Sequence, residues 1–233
     1  MGFVRKWDSS CPRVYDSWHS NGAKWSIQDL PPEDDKKALH LLINYLIPDE
    51  PLCSLSKFID DPESLKCITD IWRECLRQRM TLACYIEEEG EKTLAALNVC
   101  IVDDVDERFP TIKVEGEAWK NVFSAMEYVQ RKCDPFKYLG CSRILNAFGL
   151  VVKKEYRGQK LGSRILSARE LLCHPHGIQA TSTIFSGPAS QISAVRCGFK
   201  PISEASLKEL AENGLKYPPD ENRSIKLMVK SFV

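Results

Sequence analysis

The segment Tyr156-Arg157-Gly158-Gln159-Lys160-Leu161-Gly162 separates an apolar run over residues 147–152 from a stretch in which Leu161, Ile165, Ala168 and Leu172 recur at helical spacing. A strand that passes through a glycine-containing loop into a helix turns several backbone N–H groups, and the positive end of the helix dipole, towards one point. Such a point suits a phosphate or pyrophosphate. Gly158 and Gly162 let a ligand come close to the backbone, and Arg157 adds a fixed positive charge. Many α/β proteins have a similar turn that binds nothing, so the turn alone leaves a purely structural reading open. Its spacing fits neither G-x-G-x-x-G nor G-x-x-x-x-G-K-[ST], which weighs against nicotinamide and nucleoside-triphosphate ligands.

Three other segments carry groups able to move protons. Pro32-Glu33-Asp34 opens a helical pattern, Asp49-Glu50-Pro51-Leu52 follows it, and Ser186-x-x-x-Ser190 precedes Gly198-Phe199. By residue type alone each has a bland explanation. Glu33, like Asp34 and Asp35, complements a helix N-terminus, and Ser186-Gly187-Pro188 forms a turn and a cap. The ten cysteines are scattered without a C-x-x-C pair. They read as reduced thiols, with Cys67, Cys75 and Cys100 on apolar faces. No Cys/His arrangement points to a cysteine nucleophile, and His174-Pro175-His176 reads as a polar loop rather than a metal site.

The elements that must hold these groups alternate between strand and helix. Residues 25–30 read as a strand and 31–46 as a helix with proline and acids in its first turn. A second helix follows Asp61-Pro62, with Leu65, Ile68, Trp72, Cys75 and Leu76 on one stripe. Residues 82–86 and 93–102 form a hairpin about a charged, glycine-containing turn, and residues 117–132 a third helix. After the turn at Arg157 come a helix over 161–173, a strand over 178–185, a short helix over 190–196 and a return strand from Gly198. A helical insertion over 204–212 and a strand over 225–233 close the chain. Residues 1–23 read as a polar extension over the surface of a domain spanning 24–233.

The chain has 233 residues, 43% apolar and 27% charged, enough for one large domain. Its 32 basic and 32 acidic residues give no overall field for nucleic acid or an anionic membrane. No apolar run approaches the ~20 residues that span a bilayer, and the N-terminus shows neither a secretory nor a myristoylation pattern. The expectation is a cytoplasmic monomer.

The turn resembles the R/Q-x-x-G-x-G/A signature of the GNAT superfamily of N-acetyltransferases, with Arg157 and Gly162 at its ends and Lys160 in place of the middle glycine. Pro32-Glu33-Asp34, Asp49-Glu50-Pro51-Leu52 and the paired serines, in that order around the turn, are similar to the insect arylalkylamine N-acetyltransferases and their paralogues. The resemblance implies an α/β (α+β) fold: one GNAT-type domain on a mixed, mostly antiparallel sheet of about seven strands, splayed at the cofactor site, with helices on both faces. It further implies acetyl-coenzyme A as co-substrate, no metal, and a small amine as acceptor. The pyrophosphate and pantetheine would lie against Leu150, Val151, Val152, Arg157, Gly158, Gln159, Lys160, Leu161, Gly162 and Ser163.

The chemistry is a deprotonation followed by acyl transfer. An alkylamine has a pKa near ~10.4, so at neutral pH only about one molecule in 10³ carries the attacking lone pair. A carboxylate lifted in pKa by burial supplies the base. The resemblance gives this role to Glu33, and gives Ser186 and Ser190 the ordering of the site and delivery of a proton to the thiolate. Many members of the superfamily use a tyrosine on this last helix, but Ala194 stands at that position. Lys160 either needs φ > 0, at a cost of about 1–3 kcal/mol, or adopts an ordinary right-handed backbone and turns its charge to a phosphate; the second is expected. Two other readings remain: an acyl-CoA-binding relative without catalysis, and a protein lysine acetyltransferase.

Overall fold

The computed structural model describes residues 3–106 and 113–232. Among these, eight strands form one sheet: β1 Val14–Ser20, β2 Ala23–Asp29, β3 Leu82–Glu88, β4 Glu91–Asp104, β5 Arg143–Val152, β6 Ala180–Phe185, β7 Lys200–Ser206 and β8 Ser224–Ser231. Their spatial order is β1-β2-β3-β4-β5-β6-β8-β7, and every neighbouring pair is antiparallel except β5–β6. The helices are α1 Asp35–Leu41, α2 Pro51–Leu55, α3 Pro62–Arg77, α4 Glu117–Lys132, α5 Pro135–Leu139, α6 Leu161–Cys173, α7 Pro188–Arg196 and α8 Leu207–Glu212.

Successive side chains of a strand point to opposite faces, and here both faces are covered. Ala83 and Tyr85 of β3 join Leu41 of α1, Ile68 and Trp72 of α3, and Trp119 and Val122 of α4 in one core. Leu82, Cys84 and Ile86 face the other way, against Leu161, Ile165, Ala168 and Leu172 of α6. This is why β3 reads as an unbroken apolar run. Cys67, Cys75 and Cys100 are buried as expected, and all ten cysteines are unpaired.

Local chemistry sets the helix ends. Asp61 caps α3, accepting from the backbone N–H of Glu63 and Ser64 at 3.1 Å each. The same carboxylate accepts from the N–H of Ala118 at 3.0 Å, while Ser64 Oγ accepts from that of Trp119 at 2.8 Å, so the start of α3 also caps α4. Gly116 must be glycine there: its φ is +81°, and a Cβ would sit 2.2 Å from Ser64 Oγ.

The sheet has eight strands where about seven are expected, the addition being β1. Residues 14–20 are partly or fully exposed along their whole length, so no apolar stripe marks them as a strand. The stretch before Lys24, expected as an extension, thus supplies the edge of the sheet. The helix expected over 31–46 begins as a 3-10 turn at Pro32–Asp34 and ends in a wide π turn at Leu42–Leu46. Residues 204–206, expected in a helix, continue β7. Ser206 Oγ then caps α8 by accepting from the N–H of Glu209. Met1, Gly2 and Val233, at the ends of the expected extension and last strand, lie outside the described residues.

Candidate functional site

β5 and β6 are parallel neighbours that pair only at Leu145 and Thr181, although β5 continues to Val152 and β6 to Phe185. Past that point the strands diverge, and a cleft of about 1220 Å³ opens between them. On the other side of β5 the register with β4 shifts between Asn98 and Cys100, so that Val99 faces both Phe148 and Gly149. This bulge is built from side chains on both sheet faces. Gly149 has φ +132°, and a Cβ there would meet Leu46 Cδ2 at 2.9 Å and Leu42 Cδ2 at 3.2 Å, both on the π turn. Any side chain there would be strained by this φ and would have to displace Leu46.

Two donors pin the bulge. Trp72 Nε1 donates to the Phe148 carbonyl at 2.8 Å, and Asn98 Nδ2 donates to the Gly149 carbonyl at 2.7 Å. A trans peptide holds its N–H opposite its C=O. The Leu150 N–H is therefore turned away from the Asn98 amide, and Leu150 lines the cleft.

The head of α6 opens onto the same cleft. Gly158 has φ +82°, and Lys160, which immediately precedes α6, sits at φ +61° and ψ +18°. The right-handed backbone expected for Lys160 is therefore not the one adopted. The chain must reverse direction to enter α6, and it does so at the residue where the signature has glycine; a lysine in this region costs about 1–2 kcal/mol. Gly162 is helical, and a Cβ there would approach nothing nearer than Leu150 Cδ2 at 3.9 Å, which fits the signature's tolerance of alanine. Arg157 donates from Nε to the Val152 carbonyl at 3.1 Å and pairs through its terminal nitrogen with Asp49 Oδ2 at 2.8 Å. Of the ten residues expected against the cofactor, nine line the cleft; Gln159 does not.

The opposite wall comes from α2, α4 and the start of α7. Ser186 and Ser190 both line it, and Ser190 Oγ donates to the Gly187 carbonyl at 2.8 Å. That bond closes the turn expected from residue type, but the residue ahead of α7 is Gly187 and no serine side chain caps the helix. Ala194 is fully buried with Leu166, Phe185, Phe199 and Met228, facing away from the cleft, and Ser193 lines it instead. Glu33 is exposed on the turn ahead of α1 and is absent from the cleft wall. Its neighbour Asp34 accepts from the Tyr85 hydroxyl at 2.6 Å and pairs with Lys37. Burial raises the Asp34 pKa, but these two partners outweigh it and hold the carboxyl below its ordinary value. The Pro-Glu-Asp segment thus anchors a helix start.

Carboxylates do line the cleft, and Glu50 among them immediately precedes Pro51, which packs by the serine turn. Glu50 caps α2, with Oε2 accepting from the Cys53 N–H at 2.7 Å. Pro51, which follows it, packs 3.7 Å from where a Cβ of Gly187 would stand. Glu50 and Ser186 therefore stand on adjoining segments of one wall. Burial pushes the neighbouring Cys53 thiol well up, reinforced by Glu50, so this thiol stays neutral. Asp49-Glu50-Pro51-Leu52 held the signal for Glu50 as a site residue: an acid just ahead of a proline that starts a helix. Trp72, Asn98 and Gly149 carried no such signal, since their roles depend on a bulge that only strand pairing creates. Among the described residues no group of three or more His, Cys, Asp or Glu side chains could hold a metal ion, and no helix is long and apolar enough to cross a membrane.

No protein-family model matches the chain, and no curated protein sequence matches it. Solved structures do. The protein assigned as arylalkylamine N-acetyltransferase 7 of the yellow fever mosquito Aedes aegypti is similar at a TM-score of 0.90 and 25% identity, over 99% of this chain and 100% of that one. Arylalkylamine N-acetyltransferase 2 of Aedes aegypti follows at 0.77 and 17%, over 90% and 99% of the two chains. The Drosophila melanogaster polyamine N-acetyltransferase, which forms N-acetylagmatine, is similar at 0.70 and 17%, over 89% and 99%. The chain has the GNAT fold, and it resembles the insect arylalkylamine N-acetyltransferases over nearly its whole length.

Proposed function

We propose that this protein transfers an acetyl group from acetyl-coenzyme A to the primary amine of a small molecule, an arylalkylamine or a related amine, acting as a cytoplasmic monomer. The observation that carries the reading is the meeting of three features in one cleft: the gap between β5 and β6, the amide-bearing head of α6, and the wall of Glu50, Ser186 and Ser190. The similar solved structures named for arylalkylamine and polyamine N-acetyltransferases support amine acetylation as the chemistry.

In this reading the head of α6 holds the pyrophosphate by backbone N–H groups, with Arg157 and Lys160 as flanking charges. The pantetheine arm runs into the gap, where the Leu150 N–H polarises the thioester carbonyl. The acceptor lies against Trp119, Phe123 and Phe148, which line the cleft and suit an aromatic or alkyl body. Glu50, directly or through water, takes the proton of the ammonium group. The amine lone pair then attacks the carbonyl carbon, the tetrahedral oxyanion collapses, and the C–S bond breaks. Ser186, Ser190 or a water they hold passes a proton to the thiolate and is reprotonated as the acylated nitrogen gives up its second proton. We assign the base to Glu50 rather than Glu33 because it faces the cleft and Glu33 does not.

A second reading, an acyl-CoA-binding relative without catalysis, is favoured by the strained Lys160 and by the absence of a tyrosine near Ala194. A thioester-consumption screen of amines against short and long acyl-coenzyme A donors separates the two. Turnover of acetyl-coenzyme A with an arylalkylamine is the expected result. Coenzyme A binding with no turnover on any amine would establish the second reading instead.

A further inference from the structure

Arg169 lies on α6 two turns beyond its head, and its side chain is wholly buried. Among the described residues it pairs with no carboxylate. Its hydrogen-bond acceptors are neutral oxygens beside the gap, and the guanidinium lies 5.7 Å from the centre of the Phe199 ring. Nε and one terminal nitrogen donate to Asn98 Oδ1 at 2.9 and 2.8 Å, and the other donates to Thr181 Oγ1 at 2.9 Å and Thr183 Oγ1 at 2.8 Å. Burying a permanent charge without a counter-ion costs several kcal/mol, so a purely stabilising role would be served better by an apolar side chain.

The partners show what this arrangement does. Asn98, fixed by Arg169 through its oxygen, uses its nitrogen to hold the carbonyl of Gly149 in the β5 bulge. Thr181, fixed on β6, donates its own hydroxyl to the Leu145 carbonyl at 2.7 Å, at the single point where β5 and β6 pair. Thr183 lies one step further along β6 and lines the cleft, as does Asn98. The rigid, planar guanidinium therefore stands at the apex of the divergence, with β4 and the bulge on one edge and β6 on the other. Backbone hydrogen bonds no longer set the strand spacing beyond this apex. A planar fork of fixed width does so instead.

We propose that Arg169 is a positioning residue that sets the width of the β5–β6 gap and the aim of the bulge amides, and thereby the binding of the pantetheine arm of acyl-coenzyme A. The proposal rests on the acyl-coenzyme A reading of the cleft. It separates the two halves of that ligand. The nucleotide and pyrophosphate meet the head of α6, which Arg169 does not shape, whereas the pantetheine meets the gap, which it does.

Calorimetric titration of coenzyme A and of 3′-phospho-ADP into wild type, Arg169→Met, Arg169→Lys and Thr183→Val tests it. Wild type should bind both. Arg169→Met should lose about tenfold or more in coenzyme A affinity, with 3′-phospho-ADP affinity kept within about twofold, and Arg169→Lys should recover part of the loss. Thr183→Val keeps the charge and most of the network, so it reports even if Arg169→Met does not fold; a selective loss of about threefold in coenzyme A affinity is expected. Equal losses for both ligands, or no loss of coenzyme A affinity, would overturn the proposal while leaving the acyl-coenzyme A reading intact. A wild type that binds neither ligand would overturn that reading, and the proposal with it.

Discussion

Arg157 and Asp49 form an ion pair at 2.8 Å across the mouth of the cleft, joining the loop ahead of α2 to the loop ahead of α6. Both side chains are about two-fifths exposed, at 40% and 42%, so the pair is screened and modest in strength. In the proposed reading, the pyrophosphate of acetyl-coenzyme A would compete with Asp49 for the same guanidinium. Asp49→Asn should therefore tighten coenzyme A binding by up to about fivefold, and Arg157→Ala should weaken it. The gain should shrink as salt is raised. Calorimetry at low and high ionic strength checks both signs.

Lys160 is a residue in left-handed backbone where glycine would be unstrained. Lys160→Gly should raise stability by about 1 kcal/mol or less, because relief of strain is partly offset by the greater freedom of the unfolded chain. For a domain of this size that shifts the thermal midpoint by a few degrees at most, about 2–4 °C per kcal/mol. Coenzyme A affinity should nevertheless fall in the variant, because the lysine charge is lost beside the phosphates. A large gain in affinity would mean that the side chain obstructs the ligand.

The bulge should be sensitive to single atoms. A methyl group at Gly149 collides with Leu46 and Leu42 and meets an unfavourable φ, so Gly149→Ala should destabilise the fold by about 1–3 kcal/mol. Trp72→Phe removes the Trp72 donor from the Phe148 carbonyl and should cost about 1–3 kcal/mol, with a loss of coenzyme A affinity. Chemical denaturation and calorimetry of the two variants measure both effects.

Asp61 links acid stability to the α3–α4 junction. The Ala118 N–H, followed by Ser64, holds its carboxyl down to about 2, below the ~3.9 of an unfolded aspartate. Its contribution is thus fully present above about pH 4 and is lost as pH falls through about 2. Asp61→Ala should cost about 1–2 kcal/mol near neutrality, as for the loss of a helix cap. The gap between variant and wild type should close on acidification, which thermal melts at several pH values would show.

Much of the fold is legible in the sequence itself. The helices over 117–132 and 161–173 match their sequence patterns because an apolar stripe and a proline just beyond the last turn agree there. β1 was not legible, since an exposed edge strand needs no apolar alternation. The head of α6 was readable because its chemistry is local. Glu33 and Glu50 could not be ranked by spacing: both precede or begin a helix, and only packing shows that one faces the cleft. Lys160 failed for a related reason, because φ at a loop residue is set by where the chain must go next. Arg169 was least visible of all, an arginine among the apolar positions of a helix, with its hydrogen-bond partners on two strands, β4 and β6.

The most direct measurement is the rate of amide formation from acetyl-coenzyme A and an arylalkylamine by wild type, Glu50→Gln and Glu33→Gln, with acetyl-coenzyme A affinity measured alongside. Wild type should form the acetylated amine. Glu50→Gln should lose about 10²–10⁴-fold in turnover at neutral pH while still binding acetyl-coenzyme A, and Glu33→Gln should stay within about twofold of wild type. Full turnover in Glu50→Gln, or no amide from wild type despite bound acetyl-coenzyme A, would contradict the account.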